Sequence, residues 1–404
     1  MKYWIFAMML LFLCSCDKSD EPIIHTGVEI TKDELVAGLQ DFQWDLFKQA
    51  VKESDPGQNV SISPISVASA LYMAYEGSAN MTRSEMSQVM GMPGSKHVGK
   101  AYSDLEQILT NTGEDTYLKM ENSIFWDKNR MTANDDFLGY IGTHHDALIS
   151  DLDFSQSSAL TSINDWVKTS TEGRIEKILD EITSEDVMFL INALIFKADW
   201  AYPFPQENTI VGPFKRSDGS EVSVPMMFQD VYHLKSFEDE NVKAVEMPFA
   251  DTTFSMILLQ SPTDNQSVDD FIEAISSTSI DQLLNQNLVH GRIYMHMPKF
   301  EIEFKMQMNT VLKELGMVEA FDDQQADFSN LGSSASGNLF LNKVLHKTFL
   351  KVDEKGADGA AVTSVGVGVT SLPPTFRFDR PFVALILDRR TGVQIFTAKI
   401  EDPS

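Results

Sequence analysis

A run of small residues near the C-terminus, VDEKGADGAAVTSVGVGVTSLPP from Val352 to Pro374, restricts the fold of this chain more than any other stretch. It is too rich in glycine for a stable strand and too rich in β-branched residues for a helix. Connections of this length without regular structure are uncommon in compact domains and are usually functional or disordered. The run therefore predicts a segment with a function of its own.

With the two-residue period of a strand, this run has two different faces. The uncharged face consists of Ala357, Gly359, Ala361, Thr363, Val365, Val367 and Val369. The opposite face carries the only charge beyond Lys355, which is Asp358. Glycines within the run and the pair Pro373-Pro374 weaken it as a strand. We interpret the run as a segment that can enter a sheet with its uncharged face buried.

The N-terminus carries a targeting signal. An apolar run from Trp4 to Leu13 is too short to cross a bilayer and is typical of a signal-peptide core. It ends in the sequence LCSC, which resembles the bacterial lipoprotein signal, where the chain is cut before a cysteine that is then acylated. The resemblance assigns residues 1–15 to the signal, Cys16 to the lipid anchor and residues 16–34 to an acidic tether. An ordinary signal peptide, with Cys16 incidental, is the alternative.

The acidic sequence DKSDEP that follows Cys16 bears on location. Similar acidic runs after the lipidated cysteine direct lipoproteins of Bacteroidetes type to the cell surface. We therefore expect a protein that is lipid-anchored to the outer membrane and exposed at the cell surface, with membrane contact through the lipid only.

Cysteine content and charge exclude several classes of function. Both cysteines, Cys14 and Cys16, lie in the signal, so the rest of the chain has neither a disulfide nor a cysteine metal site. The formal net charge is −27, and phosphate contacts need clustered Lys and Arg, so nucleic acid is not expected as a partner. Hydrophobic residues make up 43% of the chain and no internal linker or repeat interrupts it. Residues 35–404 are therefore predicted to form one domain.

Hydrophobic periodicity predicts helices first and strands afterwards. The predicted helices are 33–52, 65–75 and 82–90, the last beginning at a capping-type Thr82 with Glu85 three residues on. The predicted strands are 117–126, 187–196, 254–260, 292–304, 340–346, 382–387 and 394–400. Helices followed by mostly antiparallel strands indicate an α+β fold.

No motif for catalysis or cofactor binding stands out, so an enzyme is not expected. The sequence GSSASG from Gly332 lacks the strand-turn-helix context of a nucleophile elbow. The sequence GVG from Gly366 lacks the third glycine that dinucleotide binding requires. His144-His145 has no ligand-type spacing nearby and is expected at the surface. We predict no catalytic residue, no metal and no cofactor.

Five widely spaced segments resemble the signatures of the serpin family, in the serpin order. They are NVSISPIS from Asn59, LINALIFKADW from Leu190, HMPKF from His296, EKGA from Glu354 and DRPF from Asp379. The resemblance covers about residues 35 to 404. It implies a body of three β-sheets and about nine helices, with an exposed reactive-centre loop at about 354–376. The run of small residues is then that loop, and the central sheet is what it can enter.

The serpin mechanism turns a substrate into an inhibitor. The target protease attacks the loop and forms an acyl-enzyme, and the cut loop then inserts as an extra strand and distorts the protease. The resemblance therefore implies suicide-substrate inhibition of a serine protease through a covalent complex, by a monomer. The alternatives are a cross-class inhibitor of papain-like cysteine proteases and a non-inhibitory serpin with a binding or structural role.

The base of the loop resembles an inhibitory serpin hinge. The matching residues are Glu354, Gly356, Ala357, Gly359, Ala360 and Ala361. Gly359 departs from the usual alanine and Asp358 adds a charge, but the two-residue period points Asp358 to solvent after insertion. Small side chains enter a closing sheet at low steric cost, which favours inhibition.

The usual serpin spacing, seventeen residues counted from Glu354, places the reactive bond at Thr370-Ser371. The specificity neighbours are Val369, Val367 and Leu372. A small β-branched residue such as Thr370 fits a shallow apolar pocket, leaves the buried acid of a trypsin-like pocket unpaired and underfills a chymotrypsin-like pocket. We expect an elastase-like target, with cleavage at Val369 or Val367 as an alternative.

The resemblance also implies that other matched positions control the insertion of the loop. A polar cluster under the centre of the main sheet would hold its strands together by hydrogen bonds until insertion parts them. Its members are Ser63, Ser66, Asn192 and His346. Trp200 would lie where insertion starts, and Lys299 would pair with Glu354 there. A plain packing role is the alternative for the cluster and for Trp200.

Overall fold

The computed structural model describes residues 29–335, 337–357 and 373–404. Within them the α+β fold is confirmed, with nine α-helices. The helices are α1 Lys32–Lys52, α2 Pro64–Gly77, α3 Asn80–Val89, α4 Gly99–Thr110, α5 Asp135–His144, α6 Ser157–Ser170, α7 Val268–Ala274, α8 Ser277–Gln282 and α9 Asn309–Glu314. None of the helices in these ranges is both long and apolar enough to span a bilayer.

The described residues also form the strands β1 to β17. The first nine are β1 Val60–Ile62, β2 Thr116–Asp127, β3 Met131–Ala133, β4 Leu148–Leu152, β5 Met188–Asp199, β6 Ile210–Lys215, β7 Glu221–Glu238, β8 Lys243–Pro248 and β9 Phe254–Gln260. The others are β10 Val289–Pro298, β11 Phe300–Gln307, β12 Gly332–Ser334, β13 Leu345–Val352, β14 Gly356–Ala357, β15 Thr375–Arg377, β16 Phe382–Asp388 and β17 Gln394–Ile400.

Hydrogen-bond ladders divide the described strands into four sheets. The largest has the order β1-β17-β16-β9-β8-β7-β10-β15, with β6 also on β7. The second has the order β14-β5-β2-β4, and the pairs β11-β13 and β12-β3 are separate. No ladder joins β5 to β13 in the described residues, and we call the space between these two strands the slot. The resemblance implies three sheets, and the slot is what separates β11-β13 from the four-stranded sheet.

Two apolar cores lie on opposite faces of β5. Phe196 and Ala198 belong to the larger core, which also contains Leu71 of α2. Phe189 and Ile191 point the other way, into a smaller core formed with α6 and the residues after it. The alternation of a strand sends neighbouring residues to opposite faces, so β5 is covered on both sides. One long edge of β5 borders the slot.

The first helix begins where its own sequence specifies. The Thr31 amide donates to Glu34 Oε2 at 2.9 Å, and the Glu34 amide donates to Thr31 Oγ1 at 3.3 Å. This reciprocal capping box satisfies two amides that the helix cannot pair internally. The prediction for this helix is therefore confirmed to within one residue.

The predicted cap of the third helix is wrong. The helix begins at Asn80, and Thr82 is buried inside it. The Thr82 hydroxyl donates to Glu319 Oε1 at 2.9 Å, while the Glu85 carboxylate accepts from the Val318 and Glu319 amides. Both polar side chains therefore bind a distant segment, and these tertiary contacts replace the local cap.

Two predicted strands differ from the observed ones. The region 292–304 forms two strands, because Pro298 has no amide to donate and the Lys299 amide bonds to the Pro225 carbonyl at 2.9 Å. The chain then leaves the nine-stranded sheet and pairs with β13. The strand predicted at 340–346 begins only at Leu345, and residues 339–344 line a cavity at the base of the slot instead.

The prediction that His144-His145 lies at the surface is wrong for His145. Its ring is fully buried and stacks on Tyr102 at 5.0 Å. In residues 29–335, 337–357 and 373–404, neither ring nitrogen has a hydrogen-bond partner. Burial lowers its pKa from 6.5 to about 4, so the ring is neutral.

We expect His145→Phe to stabilise the fold increasingly as the pH falls. The unfolded chain binds a proton at this ring below about pH 6.5, whereas the folded protein does so only near pH 4, so His145 costs stability across that window. Removing it is expected to raise the free energy of unfolding by about 2 kcal/mol at pH 5 and by much less at pH 8. Urea unfolding at both pH values measures this. His233→Phe, at an exposed histidine, is the control, and an equal gain at both pH values would contradict the assignment.

Candidate functional site

The hinge enters the sheet at one end of the slot. After β13 the chain turns, and the Asp353 amide donates to the Gly356 carbonyl at 3.1 Å. Gly356 and Ala357 then form β14, which pairs with Asp199 and Ala198 of β5. Ala357 is buried, with its side chain in the larger core. Two residues of the hinge therefore already occupy the position of an added strand.

Trp200 holds the turn that leads into β14. Its ring is buried and stacks on Phe249 at 4.6 Å, with the two planes 7° apart. Its Nε1 donates to the Asp353 carbonyl at 3.0 Å, and its backbone amide donates to the Lys355 carbonyl at 2.7 Å. The turn is thus fixed by two bonds from one residue at the end of β5.

Glu354 ties the same turn to the nine-stranded sheet. Its carboxylate is buried and accepts from Lys299 Nζ at 2.8 Å and from Thr209 Oγ1 at 2.8 Å. Burial, the largest influence, raises the pKa of Glu354, but the bonds from Lys299 and Thr209 outweigh it and hold the pKa below its usual value. The carboxylate is therefore charged at neutral pH and positions the start of the loop.

The slot is covered on one side by α6 and the segment after it. We call residues 171–182 the strap. Thr171 and Ile175 line the slot together with β5 residues 194–196 and β13 residues 349–351. A segment that enters the slot must therefore pass beneath the strap.

On the β13 side of the slot, the central polar residues are Ser63 and His346. The Ser63 amide donates to His346 Nε2 at 2.9 Å. His346 is buried, and burial lowers its pKa to about 4, so the ring is neutral and accepts this bond. The Ser63 hydroxyl has no hydrogen-bond partner within the described part of the chain.

On the β5 side, Asn192 belongs to a separate group. Its Nδ2 donates to Asn122 Oδ1 at 3.0 Å and to Ser69 Oγ at 3.4 Å, while its Oδ1 has no partner among the residues that the structure describes. Ser66 lines the same part of the slot. The expected single cluster is therefore divided, because the slot separates Asn192 from His346 by an unpaired strand position.

Asn122 and Ser69 are members of this site that the sequence interpretation missed. Asn122 lies directly opposite Asn192 in the β2–β5 ladder and is buried. A signal was present, since Asn122 occupies the same face of its strand as the apolar Met120 and Ile124. A polar residue at a core-facing position requires a buried partner.

The other end of the loop is fixed by β15. This strand pairs in parallel with β10, with Thr375 opposite Tyr294, and the Tyr294 amide also donates to the Pro374 carbonyl at 2.9 Å. The predicted residues Gly359, Ala360, Ala361, Val367, Val369, Thr370, Ser371 and Leu372, and the anchor Cys16, lie outside the described residues. The structure thus places both ends of the loop.

Substituting Gly356 tests the placement of β14. A Cβ at this position would lie 1.9 Å from the Ala198 carbonyl oxygen and 2.8 Å from Asp199 Cα, so Gly356→Ala must push β14 away from β5. Overpacking of this kind costs about 1–3 kcal/mol. We expect the Trp200 amide, which is bonded to Lys355, to exchange with deuterium at least about tenfold faster.

The matched control for this substitution is Gly139→Ala, because a Cβ at Gly139 meets nothing within 4 Å. It should leave exchange at Trp200 unchanged. Unaltered protection of Trp200 in Gly356→Ala would mean that β14 is not held in this register.

Comparison with known proteins agrees with this architecture. The family description "Serpin (serine protease inhibitor)" matches residues 37–403. Human Serpin B8 is 30% identical over 379 residues, which cover 92% of this chain and all of that protein. The leukocyte elastase inhibitor of Xenopus laevis is 29% identical over 381 residues, again covering 92% and 100%.

Solved structures extend the comparison to the fold. The thermophilic serpin tengpin in its native state is 32% identical and superposes with a TM-score of 0.83, covering 93% of this chain and 96% of its own. Tengpin in its latent state, also 32% identical, gives 0.80 and covers 93% and 100%. With a family match across residues 37–403 and relatives aligned over their whole length, the chain belongs to the serpin family.

Proposed function

We propose that this serpin is a suicide-substrate inhibitor of elastase-like serine proteases that traps the acyl-enzyme by inserting its cleaved loop into the slot. The observation that carries the proposal is the match between the loop sequence and the slot when the register of β14 is continued. In an antiparallel ladder each step along one strand is matched by one step back along its neighbour.

The register on the β5 side starts with Ala357 opposite Ala198. Continued along β5, it brings Thr363 opposite Asn192. Thr363 is the only hydroxyl residue on the uncharged face between Ala357 and Val369, and Asn192 Oδ1 lacks a partner among the described residues. A hydroxyl at that point can donate to this oxygen, which removes the cost of a buried unpaired acceptor.

The register on the β13 side leads to the same position. The bond from the Asp353 amide to the Gly356 carbonyl pairs these two residues, and continuing it brings Thr363 opposite His346. Ser63, whose hydroxyl is also unpaired, is bonded to His346. Both registers thus bring Thr363 to the polar residues Asn192 and His346.

Beyond Thr363, the inward-facing residues of the loop are apolar, and they come opposite apolar residues of β5. The β5 register brings Val365 opposite Leu190 and Val367 opposite Met188. Leu190 and Met188 line the cavity at the base of the slot, together with apolar side chains that include Leu71. Burying the valines there is favourable, since a fully buried side chain of this kind contributes about 1.5–3 kcal/mol.

Insertion releases enough free energy to disable a protease. A segment of about twelve residues between β5 and β13 adds on the order of ten ladder hydrogen bonds, at about 1 kcal/mol net each. This gain is comparable with the whole stability of an ordinary domain, which is about 5–15 kcal/mol. The protein therefore needs no cofactor, and the uninserted form must be held by a kinetic barrier.

Cleavage is what permits full insertion. Both ends of the loop lie near one end of the slot: Lys299 contacts Glu354, and His296, three residues earlier, is paired with Arg377 of β15. A strand of about twelve residues extends roughly 40 Å, so a loop still joined to β15 cannot reach the base of the slot.

When the protease serine attacks the Thr370 carbonyl carbon, the bond to the Ser371 nitrogen breaks. Ser371 leaves as a protonated amine, and Thr370 stays as an ester on the protease.

The residues at the reactive bond support an elastase-like target. Thr370 and its neighbour Val369 are small and β-branched, which suits a shallow apolar pocket. Relatives named leukocyte elastase inhibitor, from Xenopus laevis and from Equus caballus, are each 29% identical to this chain. Their name is consistent with the residues of this loop.

We also propose that Cys16 is acylated and anchors the protein to the outer membrane, with the inhibitor at the cell surface. The sequence LCSC after a short apolar core supports the anchor, and the acidic tether supports exposure at the surface. This placement presents the loop to proteases outside the cell.

Mixing the chain that lacks residues 1–16 with pancreatic elastase tests the inhibitory function. We expect a covalent band on a denaturing gel and release of a fragment that begins at Ser371.

Two variants test the roles of single loop residues. Thr370→Arg should move trapping from elastase to trypsin by at least about a hundredfold, because arginine pairs with the buried acid of the trypsin pocket. Thr363→Arg should still be cut but should lose the covalent band, since its side chain cannot be buried beside Asn192.

The paired variants separate recognition from trapping. Thr370→Arg changes the pocket residue and leaves the inserted face intact, so it is the control for Thr363→Arg. Complete cleavage of the unaltered protein without a covalent band would overturn the proposal. A band with papain but not with elastase would move the target to cysteine proteases.

A further inference from the structure

The strap is tied by ion pairs to both sides of the slot. Glu172, at its first turn, pairs with Lys197 of β5 at 2.5 Å. Asp180, further along, pairs with Lys305 of β11 at 2.6 Å. The bond from Lys197 is the main reason why the pKa of Glu172 lies below its usual value. The strap therefore crosses the slot with one charged contact to β5 and one to β11, the strand beyond β13.

The β5 register gives Asp358 a definite position on insertion. Since Ala357 lies opposite Ala198, the next residue, Asp358, comes opposite Lys197. Ala198 is buried in the larger core, so Lys197 points to the other face of the sheet, where the strap lies. Residues directly opposite in an antiparallel pair have Cβ atoms about 4.5–5.5 Å apart. The Asp358 carboxylate is then within reach of Lys197 Nζ.

The β13 register gives Asp358 a second cationic neighbour. With Asp353 paired to Gly356, Asp358 comes opposite Lys351. Lys351 also points away from the core, since its neighbour Val352 is buried there. In the present structure Lys351 pairs with Glu301 of β11 at 3.3 Å. The only acidic residue of the entering segment thus comes between two lysines, one from each side of the slot.

We propose that Asp358 binds Lys197 and Lys351 when the loop enters the slot, and that it displaces Glu172 from Lys197. This proposal rests on the insertion proposed above. The exchange detaches the strap from β5 at the point where the following residues must pass beneath it. Glu172 keeps Arg174 as a neighbour at 3.4 Å, so its carboxylate is not left without a cation. One carboxylate replaces another on Lys197, and the main effect is on the rate of entry.

A free peptide tests the exchange without a protease. The acetylated peptide DGAAVTSVGVGV, residues 358–369, and its counterpart with Asp358→Asn are added to the chain that lacks residues 1–16. Association is followed by a fluorophore on the peptide. We expect the aspartate peptide to associate about threefold to tenfold faster, from two cross-strand charge pairs. The ratio of the two rates should fall towards one as salt is raised.

Variants of the two lysines show whether Lys197 and Lys351 cause the difference between the association rates of the two peptides. Lys197→Gln should reduce it, and Lys197→Gln with Lys351→Gln should abolish it. Lys347→Gln is the matched control, because Lys347 is on β13 and pairs with Glu303, but it lies opposite Val362 in the register. Faster deuterium exchange at the Gly173 and Arg174 amides on binding the aspartate peptide, but not the asparagine peptide, would report release of the strap.

The outcomes separate this inference from the proposed function. Equal association rates for the two peptides would overturn the exchange, even where the gel shows a covalent protease complex. A ratio that disappears with Lys347→Gln as fully as with Lys197→Gln would also overturn it. The expected ratio together with no covalent complex would support the exchange while the inhibitory function fails. A failure of both peptides to bind would overturn the exchange and the register behind it.

Discussion

The central constraint on this molecule is that two long strands border each other without sharing a ladder. Backbone amides and carbonyls are obligatory hydrogen-bonding groups, so an unpaired strand edge inside a domain carries a free-energy cost. In the described residues β5 is paired with β2 and at its end with β14, and β13 is paired with β11, but nothing joins β5 to β13. The fold thus keeps the facing edges of β5 and β13 without a shared ladder, with only small cavities between them.

Several contacts fix the borders of the slot. Trp200 holds the turn at one end through two hydrogen bonds, and Glu354 joins that turn to Lys299. The two faces of β5 pack into separate apolar cores, which leaves only its edge open. An entering strand would gain ladder bonds along this open edge, while the contacts of Thr171 and Ile175 across the slot must part to receive it.

Sequence reasoning succeeded where the pattern is local and failed where distant contacts decide. The helix predicted at 33–52 and the core-facing Ala357 follow from local periodicity, and both are observed. Thr82 was assigned to a cap, but it bonds to Glu319, more than two hundred residues away. His145 was assigned to the surface, but helix packing buries it against Tyr102. Local periodicity contains no information about such partners.

The candidate site shows the same division. Family resemblance identified Ser63, Ser66, Asn192 and His346, but only the coordinates show that the slot separates them into two groups. Asn122 was visible as a polar residue on an apolar face, yet its partner Asn192 follows from the strand register, which depends on the whole sheet. Residues that line the slot can therefore be named from sequence, while their grouping cannot.

On the proposed inhibitory mechanism, the strap has a consequence for efficiency. An acyl-enzyme would either be hydrolysed, which releases an active protease and a spent inhibitor, or be carried away by insertion. The outcome would depend on the ratio of two first-order rates, and the strap with its contacts at Lys197 and Lys305 would act on the rate of insertion. The number of inhibitor molecules consumed per protease would then depend partly on a segment outside the reactive loop.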